Sequence, residues 1–159
     1  MSQPQFKPFE IADAPAVVAM MEAFYAIDNY PIDAATANKL FLEFTQNESL
    51  GRGWTIVLNG EVVGYFILTF VFSFEYKGRI AFLDELFILE KARGKGLGKQ
   101  ALEFMAEQAR QLSLKIIYLE VENHNEYAKK LYLSKGFTIH NRGIMKMVVQ
   151  KFYSYIRCY

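Results

Sequence analysis

The fold of this chain is decided by one stretch of sequence, Phe87-Ile-Leu-Glu-Lys-Ala-Arg93-Gly-Lys-Gly-Leu-Gly98-Lys99. It passes from an apolar strand through a basic, glycine-rich turn into a helix. Glycines at alternate positions let main-chain N–H groups approach a ligand, and the first amides of the following helix lack partners within it. Because Arg93, Lys95 and Lys99 surround the turn, the stretch predicts a site for a di- or triphosphate group. The plain alternative is a glycine-rich loop without a ligand.

Two familiar phosphate-binding motifs fit this stretch poorly. A Walker A loop, G-x-x-x-x-G-K-[ST], would have to end at Gly98-Lys99, where Gln100 stands in place of the metal-binding hydroxyl. The dinucleotide fingerprint G-x-G-x-x-G fails because Lys99 occupies the position of its last glycine. Glu120 would still imitate the acid that binds a ribose, so a nicotinamide dinucleotide remains an alternative ligand.

Two blocks of the sequence carry a resemblance to a known family. The first block, Arg93-x-x-Gly96-x-Gly98, resembles the [QR]-x-x-G-x-[GA] acyl-CoA loop of the GNAT N-acetyltransferase superfamily. The second block, Val121-x-x-x-Asn125-x-x-Ala128-x-x-Leu131-Tyr132-x-x-x-Gly136-Phe137, is similar to the downstream signature of that family. Two spaced motifs in the right order are more specific than one. The resemblance implies acetyl-CoA as acyl donor and direct attack by the acceptor in a ternary complex.

The resemblance also implies where the donor binds. Its pyrophosphate would lie on the glycine turn, and its pantetheine amides would pair with exposed main chain at the end of the preceding strand. The cofactor contacts expected in this way are Leu86, Phe87, Ile88, Arg93, Gly94, Lys95, Gly96, Leu97, Gly98, Lys99 and Asn125.

The pattern of apolar residues predicts the element order β-α-α-β-β-β-α-β-α-β-β. Asp33 is expected to cap the second helix, residues 51–53 to form a loop, and Asn59-Gly60 to turn a hairpin. The last two strands are predicted near residues 137–140 and 144–153. The family resemblance implies the same α+β class: a mixed, mostly antiparallel central sheet with a parallel splayed strand pair, flanked by about four helices.

Composition sets the remaining bounds. A chain of 159 residues, 52% of them hydrophobic, suffices for one domain with a real core, so one N-acetyltransferase domain is expected over residues 1–159. The net charge of +1 gives no reason to expect binding to nucleic acid or to a membrane surface. No apolar stretch approaches membrane-spanning length, and the single cysteine, Cys158, fits a reducing compartment, so a cytoplasmic protein is expected. His124 and His140 do not have metal-ligand spacing, and no metal site is predicted.

Acyl transfer to an amine requires a base and a proton donor. An alkyl ammonium has a pKa near 10.4, so its deprotonation costs about 4 to 5 kcal/mol at pH 7. Asp84 and Glu85 are candidate bases on the strand before the turn, and since adjacent strand residues face opposite sides, one of them is expected in the cleft. Glu120 ends the next strand and is another candidate, while a surface or salt-bridged carboxylate is the alternative for each. Tyr132 occupies the family position that protonates the departing thiolate, with a packing tyrosine as the alternative.

The acceptor is the least determined part of the sequence. Residues 68–78 and 82–87 are similar to the corresponding stretch of diamine and polyamine acetyltransferases, in which an acid aligned with Asp84 helps deprotonate the amine. A small-molecule amine acceptor is therefore expected, with Glu75, Tyr30 and Asp28 as substrate-binding candidates beside Asp84. Acetylation of protein N-termini and a non-catalytic acyl-CoA-binding module remain alternatives.

An aromatic stretch gives an expectation about assembly. Phe70, Phe72, Phe74 and Tyr76 follow the two-residue period of a strand. Such a face packs on the core or on a second subunit, and a homodimer is expected.

Overall fold

The structure is a computed structural model that describes residues 3–149. This range forms nine regular elements: β1 (Gln5–Pro8), α1 (Ala14–Ile27), α2 (Ala34–Gln46), β2 (Gly51–Leu58), β3 (Glu61–Ser73), β4 (Gly78–Ile88), α3 (Leu97–Gln111), β5 (Ile117–Leu119) and α4 (Glu126–Ser134). Short 3-10 turns at Ile11–Asp13 and Glu90–Ala92 lead into α1 and into the glycine turn. Within the described range, no helix is long and apolar enough to cross a membrane.

The strands form one sheet in the order β1-β2-β3-β4-β5. The pairs from β1 to β4 are antiparallel, and β5 runs parallel to β4. The β2–β3 hairpin turns at Asn59 and Gly60, whose φ angles of 54° and 83° match the turn type expected for Asn-Gly. The predicted α+β class, with a mixed sheet, a parallel strand pair and four helices, is confirmed.

The helices cover both faces of the sheet. On one face α3 buries an apolar cluster that includes Leu97, Leu102 and Met105. On the other face α1 and α2 bury a second cluster that includes Val17 and Phe41. Asp33 caps α2 as predicted, because its carboxylate accepts hydrogen bonds from the amides of the first helical turn.

Strand β4 contains a β-bulge at Asp84. Ile67 of β3 pairs with Glu85 and the next residue, Leu68, pairs with Leu83, so Asp84 is the extra residue. The bulge reverses the alternation of side chains along β4. Leu83 packs in the α3 cluster, whereas Phe87, four residues further on, packs in the α1–α2 cluster.

The expected loop at residues 51–53 is wrong, since these residues begin β2. Their glycines serve close packing instead of a turn. A Cβ on Gly51 would lie 2.1 Å from the carbonyl oxygen of Leu68, and one on Gly53 would lie 2.2 Å from the ring of Phe9. Strand and ring approach this closely only because both residues lack a side chain.

The two strands expected after α4 are also not formed in the described part of the chain. Residues 137–149 contain no strand, and residues 150–153 lie outside the described residues, as does Cys158. The apolar pattern of this segment predicted burial, but Ile139, Met145 and Val149 are 85%, 97% and 83% exposed. An apolar run forms a strand only where a neighbouring strand pairs with it, and no strand within residues 3–149 pairs with this segment.

Candidate active site

The glycine turn between β4 and α3 has the backbone that its sequence requires. Gly94 and Gly96 both adopt a φ of 75°, in the left-handed region that favours glycine. A Cβ on Gly94 would meet nothing within 4 Å, so the space beside it is open to a ligand. Gly98 has a different role, because its Cβ would lie 3.1 Å from the side chain of Leu131. It allows α4 to pack closely on α3.

The turn also offers unpaired donors and positive charge. The amides of residues 94–99 have no acceptor within residues 3–149, as is usual at the start of a helix. Lys95 and Lys99 are exposed beside them. Arg93 is held in place, since its Nε donates to the carbonyl of Ile88 at 2.9 Å and its guanidinium lies 5.7 Å from the centre of the Phe87 ring. The arrangement is suited to a diphosphate.

Beside the turn, β4 and β5 diverge. β5 pairs with β4 only at Ala81, Phe82 and Leu83, whereas β4 continues to Ile88. The edge of residues 84–88 that faces away from β3 therefore has no partner strand in the described part of the chain. This edge contains the main chain of Leu86, Phe87 and Ile88. An extended ligand that bears amide groups can pair with such an edge.

Helix α4 packs near the end of β4, since its Leu131 lies beside Gly98 and belongs to the same apolar cluster as Ile88. Asn125 caps the helix, as its Oδ1 accepts from the amide of Ala128 at 3.0 Å. Tyr132 is half-buried, with its ring centre 5.6 Å from that of Phe137. Burial raises the pKa of the Tyr132 phenol, so the hydroxyl stays protonated at neutral pH.

Two of the predicted carboxylates meet at the divergence of the strands. Asp84 and Glu120 line a small open cavity together with Phe82 and Leu83. Partial burial raises the pKa of Asp84 above its ordinary value, and the negative charge of Glu120 raises it further. A carboxylate in this setting accepts a proton more readily than a free aspartate does.

Glu85 is not part of this cavity. The bulge turns it to the α1–α2 face, where it is 7% exposed. The hydroxyl of Tyr25 donates to its Oε1, and the hydroxyl of Tyr65 donates to its Oε2 at 2.6 Å. Burial raises the pKa of Glu85 and outweighs the two hydrogen bonds, which act to lower it. Tyr65 was not among the residues chosen from sequence, although a glutamate inside an apolar strand signals that buried partners exist.

The predicted substrate-binding residues separate into two places. Asp28 and Tyr30 lie after α1 and contact the loop between β5 and α4: the Tyr30 hydroxyl donates to Glu122 Oε1 at 3.0 Å, and Asp28 Oδ1 lies 3.4 Å from His124 Nε2. The segment after α1 therefore packs against the loop that follows β5.

Glu75 lies elsewhere, in the turn between β3 and β4. It forms a two-point ion pair with Arg142, at 2.6 and 2.9 Å. The guanidinium lowers the pKa of this carboxyl. Glu75 does not line the cavity of Asp84 and Glu120.

Comparison with known proteins finds a matching family and similar acetyltransferases. The model of the family described as the acetyltransferase (GNAT) family matches residues 17–137. An uncharacterized N-acetyltransferase from the 3′ region of pepI in Lactobacillus delbrueckii subsp. lactis is 31% identical, over 79% of this chain and 79% of its own length. The L-methionine sulfoximine/L-methionine sulfone acetyltransferase of Pseudomonas aeruginosa is 29% identical, over 89% of this chain and 83% of its own length.

Solved structures agree with the fold. An integron cassette protein from the mobile metagenome of Cole Harbour Salt Marsh superposes with a TM-score of 0.83 and 30% identity, over 92% of this chain and 91% of that one. The aminoglycoside N-acetyltransferase AAC(6′)-Iy in complex with CoA superposes with a TM-score of 0.79 and 12% identity, over 94% and 97% of the two chains. The second likeness concerns the fold alone.

Proposed function

This chain belongs to the GNAT acetyltransferase family, and on that premise we propose that it acetylates the primary amine of a small cationic acceptor, such as a di- or polyamine. It is an acyltransferase of the N-acetyltransferase type, and acetyl-CoA is its acyl donor. The observation that carries the choice of acceptor is the pair of carboxylates, Asp84 and Glu120, at the cavity where β4 and β5 diverge.

The glycine turn supports the proposed binding site of the acyl donor. Its unpaired amides at residues 94–99 and the charges of Lys95 and Lys99 would hold the pyrophosphate, in the open space beside Gly94. The unpaired edge of β4 at residues 86–88 would bind the pantetheine amides. When bound, the thioester supplies an activated acetyl group.

Asp84 is the residue that we propose as the base. An acceptor amine arrives as an ammonium ion, and losing its proton at pH 7 costs about 4 to 5 kcal/mol. Asp84 faces the cavity, and its pKa is raised by partial burial and by Glu120, which makes it a better proton acceptor. Glu120 acts through its charge on Asp84. Glu85 is buried between two phenols and takes no part in this step.

Tyr132 is the residue that we propose as the proton donor to the departing thiolate. Its raised pKa keeps the hydroxyl protonated, and no group within residues 3–149 takes its hydrogen bond. Asn125 fixes the start of the helix that carries it. Packing against Phe137 limits the positions of the ring.

The charge at the cavity favours an acceptor with a second positive group. The side chains that line the cavity are two carboxylates and two apolar groups, with no Lys or Arg among them. Amino acids, such as the compounds named for the Pseudomonas relative, carry a carboxylate that two carboxylates would repel. A diamine keeps a second ammonium ion, which the charge of Glu120 would still attract after Asp84 has taken the proton of the first amine.

A thiol-release assay with acetyl-CoA and matched acceptors tests the proposal. Because an exposed ion pair contributes up to about 1 kcal/mol, 1,4-diaminobutane should exceed butylamine in kcat/KM by about threefold to fivefold. Added salt should reduce that ratio, and mass spectrometry should find one acetyl group on the amine. Amino acids, peptide N-termini and aminoglycosides complete the panel.

Other outcomes would replace the proposal. Equal rates with the two matched amines would remove recognition of a second cation. Turnover of peptides alone would indicate an N-terminal acetyltransferase, and acetyl-CoA binding without turnover of any amine would indicate a binding module. Binding of NAD without binding of CoA would contradict the donor site.

We also propose that the enzyme is a cytoplasmic homodimer. Phe72 and Phe74, near the end of β3, are 69% and 90% exposed, and the centres of their rings lie 5.3 Å apart. Exposed aromatic pairs of this kind are common at subunit contacts. Light scattering on the protein and on Phe74→Ser would test the dimer, and a monomeric parent protein would rule it out.

A further inference from the structure

A buried carboxylate that the proposed reaction does not use lies next to Asp84 in the sequence. Glu85 is 7% exposed, and each of its oxygens accepts a hydrogen bond from a different phenol. Tyr65 belongs to the neighbouring strand β3, whereas Tyr25 lies near the end of α1. Through these hydrogen bonds Glu85 links helix α1 to the sheet, next to the proposed base Asp84.

Further hydrogen bonds extend this link from Tyr25 into the segment that follows α1. The carbonyl of Tyr25 accepts from the amide of Tyr30 at 3.0 Å, which closes a turn through Asn29, whose φ is 57°. The side chain of Tyr30 then reaches Glu122 in the loop beyond β5, at 3.0 Å. Residues 25–30, called the α1 turn below, thus connect β4 with the loop after β5.

This connection joins β4 to the chain after β5 beyond the point where the two strands stop pairing, because Glu85 and Glu122 both follow the last paired residues, Leu83 and Leu119. One end of it is buried at Glu85, and the other end consists of exposed contacts, Tyr30 with Glu122 and Asp28 with His124. Exposed contacts are weak and exchange readily, whereas hydrogen bonds to a buried charged group are strong. The buried end therefore determines where the α1 turn lies.

We propose that Glu85 is a positioning residue: through Tyr25 it holds the α1 turn as a wall of the acceptor site. The inference rests on the proposed function, because it assumes that the acceptor binds at the cavity of Asp84 and Glu120. It assigns the two adjacent carboxylates of β4 different tasks, proton transfer for Asp84 and placement of the wall for Glu85.

A matched pair of variants separates this role from a merely structural one. Tyr25→Phe and Tyr65→Phe each remove one hydroxyl donor from Glu85, but only Tyr25 belongs to α1. Since a hydrogen bond to a charged group is commonly equivalent to tenfold or more, Tyr25→Phe should raise the KM for the amine about tenfold. The KM for acetyl-CoA should change less than about twofold, and Tyr65→Phe should raise the amine KM by less than about threefold.

A second measurement needs no turnover. Hydrogen exchange of the Tyr30 amide, which is bonded to Tyr25, reports opening of the α1 turn in the free protein. Tyr25→Phe should accelerate this exchange about tenfold, and Tyr65→Phe should accelerate it much less. Thermal unfolding of both variants checks that each one folds.

The outcomes decide between the roles. Equal effects of the two variants on the amine KM and on exchange would overturn the proposal, because Glu85 would then act only on the stability of the whole sheet. A fall in kcat with a shifted pH profile in Tyr25→Phe would also overturn it and would place Glu85 in proton transfer. If the parent protein acetylates no amine, the proposed function fails, and the exchange comparison alone still decides whether Glu85 holds the α1 turn.

Discussion

The carboxylates of Asp84 and Glu120 line one cavity, and the charge of Glu120 adds to partial burial in raising the pKa of Asp84. The two residues come from adjacent parallel strands whose pairing ends next to them, at Leu83 and Leu119. Divergence of the strands therefore creates both the cavity and the closeness of the two charges.

The first prediction concerns the acidic limb of the pH–rate profile. The base must be deprotonated, so kcat/KM should fall as the pH drops through the pKa of Asp84. Glu120→Gln removes the neighbouring negative charge, which lowers that pKa and should move the limb to lower pH. Asp84→Asn should reduce kcat/KM by about 100-fold or more at neutral pH. If the acidic limb of Glu120→Gln lies at the same pH as that of the parent protein, the charge of Glu120 has no effect on the base and this prediction is wrong.

The second prediction concerns the proton donor. Tyr132→Phe keeps the packing against Phe137 but lacks the hydroxyl, so it should lower kcat by about 100-fold with little change in the affinity for acetyl-CoA. Steady-state kinetics and calorimetric titration with acetyl-CoA measure the two effects. Unchanged turnover would show that the thiolate leaves without help from Tyr132.

The third prediction concerns the glycine turn and has an internal control. Gly94 and Gly136 both have left-handed backbones, with φ of 75° and 88°, and both have open space where a Cβ would stand. Alanine at either position should cost about 1 to 2 kcal/mol of unfolding free energy through backbone strain. Only Gly94→Ala should weaken acetyl-CoA binding, because only Gly94 lies in the turn. Equal binding by both variants would remove the turn from the donor site.

The fourth prediction concerns stability as a function of pH. Because the pKa of Asp84 is raised in the folded protein, the folded state keeps its proton to higher pH than the unfolded chain does. Stability is therefore lost as the pH rises from the ordinary aspartate value through the raised one. Asp84→Asn should be more stable than the parent protein at pH 8, by less than about 4 °C in Tm since solvent screens the charge. The difference should vanish near pH 3, and a difference that grows there would contradict it.

Local signals in the sequence predicted the parts of the fold that depend on neighbouring residues. The turns at Asn59-Gly60 and at Gly94 and Gly96 have left-handed backbone conformations. Asparagine and glycine are the residues that adopt this conformation most readily. The parallel pairing of β4 and β5 followed from the helix between them. These elements lie where the sequence placed them.

Features that depend on distant residues were not predictable in the same way. The bulge at Asp84 is set by the register with β3, and no residue type near it announces an extra residue. The phenol partners of Glu85 lie 60 and 20 positions away in the sequence. The sequence of β4 alone therefore indicated a buried carboxylate but could not identify the two tyrosines that bind it. The apolar residues after α4 predicted strands for which the described chain supplies no neighbour.

The bulge has a consequence for how β4 tolerates change. With Asp84 present, Leu83 and Leu86 both contribute to the α3 cluster although three positions separate them. Deleting this one residue would restore strict alternation and would still leave Leu86 and Ile88 on the side of α3, because Glu85 would then follow Leu83 directly on the opposite face. The two apolar clusters therefore do not require the extra residue, and what the bulge adds at this point of the strand is the carboxylate that lines the cavity together with Glu120.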